Sequence, residues 1–323
     1  MYKQKNVYFI IFCLLMSLAL LGACNTTATH EANSEEDETE NVRYYESEKG
    51  TVELPLEPSR VVVSVRDYVG DVLAMGVKPV GVSETMVFDA PYYQEQLKGV
   101  ESVGEDTAIS LEKITSLNPD LIITYTEDSY EQSSKIAPTV LIPYGELNYE
   151  ERLLEFGKIL NKETEAQQRL EQFQEKVKDK KVQLSDTLEQ DTKVAIVEIT
   201  DKDLYVFGKT YGRGGEILYN QLELAAPKKV EEVTEAEGWA SISLETIPEY
   251  LGEADYILMG VRDTGSDKKA EIQSSKLWTE LSAVKEGKVY EYDLASFYFQ
   301  DVIALDYQLD LLVEFFQSNE KVN

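Results

Sequence analysis

Residues 162–188 read KETEAQQRLEQFQEKVKDKKVQLSDTL. Ala166, Leu170, Phe173, Val177, Leu184 and Leu188 recur at helical steps, with Glu, Gln and Lys filling the intervals. Neither glycine nor proline occurs from Lys158 to Phe207. The pattern predicts one helix over 162–188, roughly 40 Å long at about 1.5 Å per residue. A coiled-coil seam is the competing reading, but the apolar stripe is too short and isolated for a strong zipper.

The chain on either side of this helix carries the same features in the same order, at or near an offset of 133 residues. I-S-L-E-K-I at 109–114 matches I-S-L-E-T-I at 242–247, and the strand-like run at 61–63 matches that at 194–197. Each run leads to an acidic helix start, Gly70-Asp71-Val72-Leu73 in one half and Gly215-Glu216-Ile217-Leu218 in the other. Each I-S-L-E-x-I precedes a short helix and a further apolar strand, at 121–123 or 256–259. Short buried strands alternating with helices predict parallel pairing. The expected fold is α/β: two related α/β lobes with mainly parallel sheets, residues 43–161 and 191–323, joined by one long α-helix within 162–190, with a ligand cleft between the lobes. A stiff connector of this kind permits only small changes in the angle between lobes.

The 323 residues include 31 Lys+Arg against 60 Asp+Glu, a formal net charge of −29. Phosphate binding is driven by clustered Lys and Arg that release counterions, so the charge argues against a nucleic-acid partner. One His removes most His-based catalysis and metal ligation, and 2 Cys cannot make a disulfide framework. Lys3 and Lys5 precede an apolar run from Val7 to Leu21, too short for a membrane span and shaped like a secretory signal over 1–23. It ends in Leu21-Gly22-Ala23-Cys24, which looks like a bacterial lipobox. Acylation of Cys24 would anchor the protein to a membrane surface. Residues 24–42 form an acidic segment; from 25 onward it has six acids and no aromatic, Lys or Arg, and a flexible tether is expected. His30, the lone histidine, falls there.

This order of lipobox, tether, lobe, helix and lobe resembles the siderophore-binding lipoproteins of bacterial ABC importers. The local marks are P-S-R-V-V-V (58–63), A-M-G-V-K-P-V-G-V (74–82), S-V-G (102–104) and S-L-E-K-I-T-S-L-N-P-D-L-I-I (110–123). In the second lobe they are Y-G-R-G-G-E-I-L-Y (211–219), G-W-A-S-I-S-L-E (238–245) and L-S-A-V-K-E-G-K-V-Y (281–290). The resemblance is greatest to the ferric hydroxamate binders of that family. It implies a non-enzymatic, monomeric receptor on the extracellular face of a Gram-positive cell membrane, which delivers its ligand to an ABC permease. Iron enters only as cargo. Fe(III) prefers oxygen ligands, and a siderophore supplies all six, so no protein cofactor or metal ligand is called for.

Such a cleft needs aromatic walls and a few donors. Arg213, in a glycine-rich loop, is the first candidate, with a planar five-donor guanidinium suited to hydroxamate oxygens. The competing reading is a tight turn with Arg213 solvated or paired to a carboxylate. The loop matches no phosphate-binding glycine motif. The resemblance further implies Tyr211, Tyr205 and Trp239 on the cleft wall, Tyr298 or the competing Phe297 after the last strand, and Arg66, Tyr68 and Tyr125 on the first lobe. Glu112 and Glu245 read as first-turn acids that complement a helix dipole; the resemblance adds a permease-docking role for both. Within the fold, Arg66, Arg213 and Arg262 could instead form a basic pocket for a catecholate or citrate-type siderophore. Haem, zinc and manganese binders need histidines that the lobes lack, whereas no residue excludes cobalamin. From other classes, a carboxylate-dependent surface hydrolase and a structural adhesin stay open, although no G-x-S-x-G elbow occurs.

Overall fold

The computed structural model describes residues 41–189 and 191–320, the last two without their side chains. Cys24, the signal segment, His30 and the tether up to residue 40 lie outside the described residues. An antiparallel hairpin of β1 (Val42–Ser47) and β2 (Gly50–Pro55) opens the described chain. The first lobe contains β3 (Val61–Val63), β4 (Gly81–Val82), β5 (Glu101–Ser102), β6 (Leu121–Thr124) and β7 (Thr139–Leu141). They lie in the order β5-β4-β3-β6-β7, with every neighbouring pair parallel. The second lobe contains β8 (Val194–Ile199), β9 (Leu204–Phe207), β10 (Trp239–Ile242), β11 (Tyr256–Val261) and β12 (Val289–Tyr292), in the order β10-β9-β8-β11-β12. Val61 and Val194 therefore both stand on a central strand. Continuous β-branched and aliphatic runs suit that place because both sheet faces are covered, and every residue of β3 and β8 is buried.

The second sheet departs from all-parallel pairing: β9 runs antiparallel to both β8 and β10. The cause is local. Thr200 Oγ1 accepts from the Asp203 N–H at 2.9 Å, and the Thr200 N–H donates to the Asp203 carbonyl at 2.9 Å. This closes a hairpin turn, whereas a parallel neighbour would need a crossover of a dozen residues or more. The two I-S-L-E segments differ as well. Ser110 caps the helix Leu111–Ser116 by accepting from the Lys113 N–H at 3.3 Å. Ser243 makes no such cap; Leu244–Thr246 is a single 3₁₀ turn, and the α-helix starts only at Ile247, with Pro248 in its first turn. Proline fits the first helical positions, where its missing N–H costs nothing.

Three helices lie between and beneath the lobes: α1 (Tyr149–Leu160), α2 (Glu163–Leu184) and α3 (Val302–Glu320). The connector α2 has 22 residues, about 33 Å. It buries Ala166, Leu170, Phe173, Val177 and Leu184 and stops short of Leu188. At its end the Ser185 hydroxyl donates to the Val182 carbonyl at 2.8 Å, a local bond that competes with helix continuation. Helix α2 packs on α1 and α3, and Lys176 reaches Asp306 at 3.1 Å and Asp310 at 2.7 Å on α3. Phe156, Phe173, Leu309 and Phe316 share one hydrophobic cluster with Val63 and Ile196 from the two central strands. A continuous core thus joins both lobes, and the connector is one member of a helical layer.

The seam between the first lobe and α3 is closed by buried Asp301. Its Oδ1 accepts from the Ile303 and Ala304 N–H groups at 3.0 and 3.1 Å, an N-cap, while the Tyr93 hydroxyl donates to Oδ2. Gly70 permits the approach, since a Cβ there would strike the Asp301 carboxyl. Next to it, Arg152 Nε donates to Asp71 Oδ2 at 2.7 Å. Burial pushes the Asp71 carboxyl up to about 7, against the pull of Arg152 and with Asp301 adding to the rise. An acid whose folded pKa lies above its unfolded value binds its proton more tightly in the folded state. Its contribution to stability is complete below the ordinary value of 3.8 and is lost as pH rises to about 7. Urea unfolding of wild type and Asp71→Asn across that range should show the wild type losing ground steadily against the variant as pH rises. A difference that stays flat, or grows in favour of the wild type, contradicts this assignment.

Candidate ligand-binding site

Ligands of open α/β sheets sit outside the carboxyl ends of the strands. At that end of the second sheet lies a cavity of about 410 Å³, lined by Glu198 and Thr200 from the end of β8, Tyr205 and Phe207 from β9, Trp239 from β10 and Arg262 after β11. Tyr211 and Arg213 complete the wall, with Asp201, Asp203 and Thr264 at the rim. Four residues picked from the sequence, Tyr205, Tyr211, Arg213 and Trp239, therefore meet in one place.

The glycine-rich loop is shaped by close approach. A Cβ at Gly212 would lie 2.6 Å from the Tyr298 carbonyl oxygen, and one at Gly215 would overlap the Gly208 carbonyl. Arg213 itself has a left-handed φ of 71°, a conformation that costs a β-carbon-bearing residue about 1–2 kcal/mol. Its N–H donates to the Phe297 carbonyl at 2.7 Å. The side chain is 3% exposed, and Nε donates to Glu198 Oε2. Glu198, 1% exposed, takes Arg262 Nε on its other oxygen at 2.6 Å. Burial works against the charge on Arg213, but Glu198, with the phenols of Tyr292 and Tyr298, more than offsets it and raises its pKa. Three rings surround this guanidinium, with centroids at 4.2 Å (Tyr298), 5.4 Å (Phe207) and 5.7 Å (Tyr211).

Tyr298 also lies 5.4 Å from the Arg66 guanidinium, so it sits between an arginine of each lobe. Arg66 is in turn drawn to Asp67 at 3.4 Å and Asp106 at 3.3 Å. Tyr125 pairs edge-on with Tyr144 at 6.4 Å on the first-lobe side, away from the cavity lining. Two candidates lie in the core. Phe297 is fully buried, its ring 4.6 Å from that of Tyr292, because the glycine loop presses onto it. Tyr68 is 1% exposed, with its hydroxyl donating to the Ile142 carbonyl at 3.0 Å and its ring against Phe156. Neither is among the residues that line the cavity. Trp239 heads an edge strand and stands half-exposed beside Tyr205, with centroids 5.5 Å apart. Glu112 and Glu245 are both exposed on their lobes.

Glu198, Phe207, Asp201 and Asp203 also line the cavity and carry no motif that marks them in the sequence. The one available signal for Glu198 was a lone acid inside the apolar run V-A-I-V-E-I. Among the described residues no group of three or more His, Cys, Asp or Glu is placed to hold a metal ion. What the cavity offers is charged donors, fixed from behind, between aromatic faces.

The chain matches the family described as periplasmic binding protein over residues 61–295. It is 38% identical over 317 residues to the iron(3+)-hydroxamate-binding protein FhuD of Bacillus subtilis, covering 97% of this chain and 98% of the relative. A second relative from the same organism, the iron(3+)-hydroxamate-binding protein YxeB, is 34% identical and covers 96% of each chain. The structure of FhuD2 from Staphylococcus aureus with bound ferrioxamine B superposes with a TM-score of 0.72 at 28% identity, covering 81% of this chain and 99% of that one.

Of the two tryptophans, Trp239 is 39% exposed and Trp278 only 3%. Trp278→Phe should leave a red-shifted emission that acrylamide quenches readily, and Trp239→Phe a blue-shifted, protected one. The reverse pattern would displace Trp239 from the cavity mouth.

Proposed function

Because the chain belongs to the periplasmic binding protein family, whose members carry substrates and transform none, we propose that it captures a ferric hydroxamate siderophore outside the membrane and hands it to an ABC permease. The observation that carries this reading is the pair of guanidiniums, Arg213 and Arg262, tied through Nε to one buried carboxylate and bordered by aromatic rings. Each tied guanidinium keeps its terminal NH₂ groups for the ligand, and their fork suits the oxygen pairs of a hydroxamate. Tyr205, Tyr211, Trp239 and Tyr298 supply flat surface for the organic shell, with Arg66 and Tyr125 approaching from the first lobe. The metal needs nothing from the protein, since the chelator fills its coordination sphere.

A basic pocket for a trianionic chelate fits less well. Arg66 is engaged by two aspartates, and Arg213 and Arg262 share Glu198. Tethering through acylated Cys24 would keep the receptor at the cell surface, and three relatives are described as lipoproteins. Among the described residues no helix is long and apolar enough to cross a membrane.

Titration of the soluble domain with ferric trihydroxamates should quench Trp239 saturably, and Arg213→Ala should weaken binding about 10- to 100-fold, the loss of one or two charge-assisted hydrogen bonds. Absence of binding by every ferric siderophore tried would refute the proposal. For docking, we expect Glu112→Ala combined with Glu245→Ala to leave the dissociation constant unchanged while cutting cellular uptake at least about tenfold, because paired exposed charges set register and encounter rate. Normal uptake by that double variant removes the docking role.

A further inference from the structure

Glu198 is the only carboxylate of the cavity lining that is fully withdrawn from solvent. It interrupts a strand whose other members are all aliphatic. Both of its oxygens are occupied, Oε2 by Arg213 and Oε1 by Arg262. Its two partners differ: Arg213 is buried at 3% exposure, whereas the Arg262 side chain, at the end of β11, is 46% exposed. Asp201 and Asp203 stand at the rim, so the lining holds three carboxylates and two guanidiniums, a formal charge of −1. The donors are those expected of an anion site. The charge is not.

We infer that Glu198 is the specificity-determining residue of this cavity: by neutralising one of two guanidiniums from behind, it keeps their oxygen-binding geometry while excluding chelates that carry several negative charges. The inference rests on the siderophore-binding reading above and deepens it. A neutral ferric trihydroxamate presents oxygens with partial charge only and needs donors rather than net positive potential. A ferric tricatecholate carries three negative charges and interacts with the summed field of the lining, in which Glu198, Asp201 and Asp203 outweigh the two arginines. Removing the Glu198 charge reverses part of that balance. It also frees Arg262, the exposed partner, to turn toward an anion. Specificity here would come from a repulsive element placed behind the attractive ones.

The experiment compares wild type, Glu198→Gln and Glu198→Asp by Trp239 quenching, with a neutral ferric trihydroxamate and a trianionic ferric tricatecholate as probes. Wild type should prefer the trihydroxamate by about 100-fold or more. Glu198→Gln should lower that ratio at least about fivefold, chiefly through tighter binding of the trianion. Glu198→Asp keeps the charge at shorter reach; it should weaken both ligands while holding the ratio within about twofold, which a purely structural role would not do. A ratio lowered less than fivefold by Glu198→Gln, or lowered equally by Glu198→Asp, overturns the inference and leaves the siderophore reading intact. Wild type that binds neither probe overturns both. Should Glu198→Gln fail to fold, Arg262→Gln serves instead: loss of the exposed cation should widen the ratio, and an unchanged or narrowed ratio rejects the inference.

Discussion

A carboxylate on a central strand, shut away from water, must find its compensation within the protein, and Glu198 finds two arginines. Breaking such a buried arrangement by removing one partner typically costs about 3–5 kcal/mol, so the three groups hold one another in place. The consequences spread outward. Arg213 can be reached only if the loop around it turns tightly, which requires Gly212 against the Tyr298 carbonyl, Gly215 against the Gly208 carbonyl and a left-handed φ at Arg213 itself. That turn presses Phe297 into the core and leaves the next residue, Tyr298, standing between Arg213 and Arg66. The aromatic wall and the donor set are therefore products of one electrostatic constraint.

The same segment ties the lobes together. Four residues after Phe297, Asp301 caps α3 and receives Tyr93 of the first lobe, and α3 then lies along the connector α2. A single hydrophobic cluster spans both lobes and all three helices. Motion of one lobe against the other has to work against this shared core as well as against the stiffness of α2. Such packing would limit closure on ligand binding and would hold Glu112 and Glu245 at a nearly fixed separation.

Local periodicity revealed most of the fold. The apolar stripe of α2, the runs that became β3, β6, β8 and β11, and the doubled I-S-L-E segments all carry information within a few residues. Helix α3 was not distinguished, because Asp306, Asp310 and Glu314 make only a narrow polar stripe along an otherwise largely apolar run. The hairpin of β8 and β9 depends on a Thr–Asp turn whose bonds appear only in three dimensions. At the site, the glycine-rich loop pointed to Arg213 and the family resemblance to Tyr205, Tyr211 and Trp239, and these four line one cavity. Phe297 and Tyr68 lie in the core and outside the cavity lining, because an aromatic beside a strand end is as useful to a core as to a wall. Glu198 lay hidden for the opposite reason: one acid among five aliphatic residues marks a site only once its two partners are known.

The central claim is that the polypeptide grips the organic coat of a chelate and leaves the metal to the chelator. A crystal structure of the domain loaded with a ferric trihydroxamate tests this most directly. All six iron ligands should be chelator oxygens, with the Arg213 guanidinium within hydrogen-bond distance of at least one of them. An iron held by a side chain of this protein, or a chelate seated away from Arg213, would contradict the account.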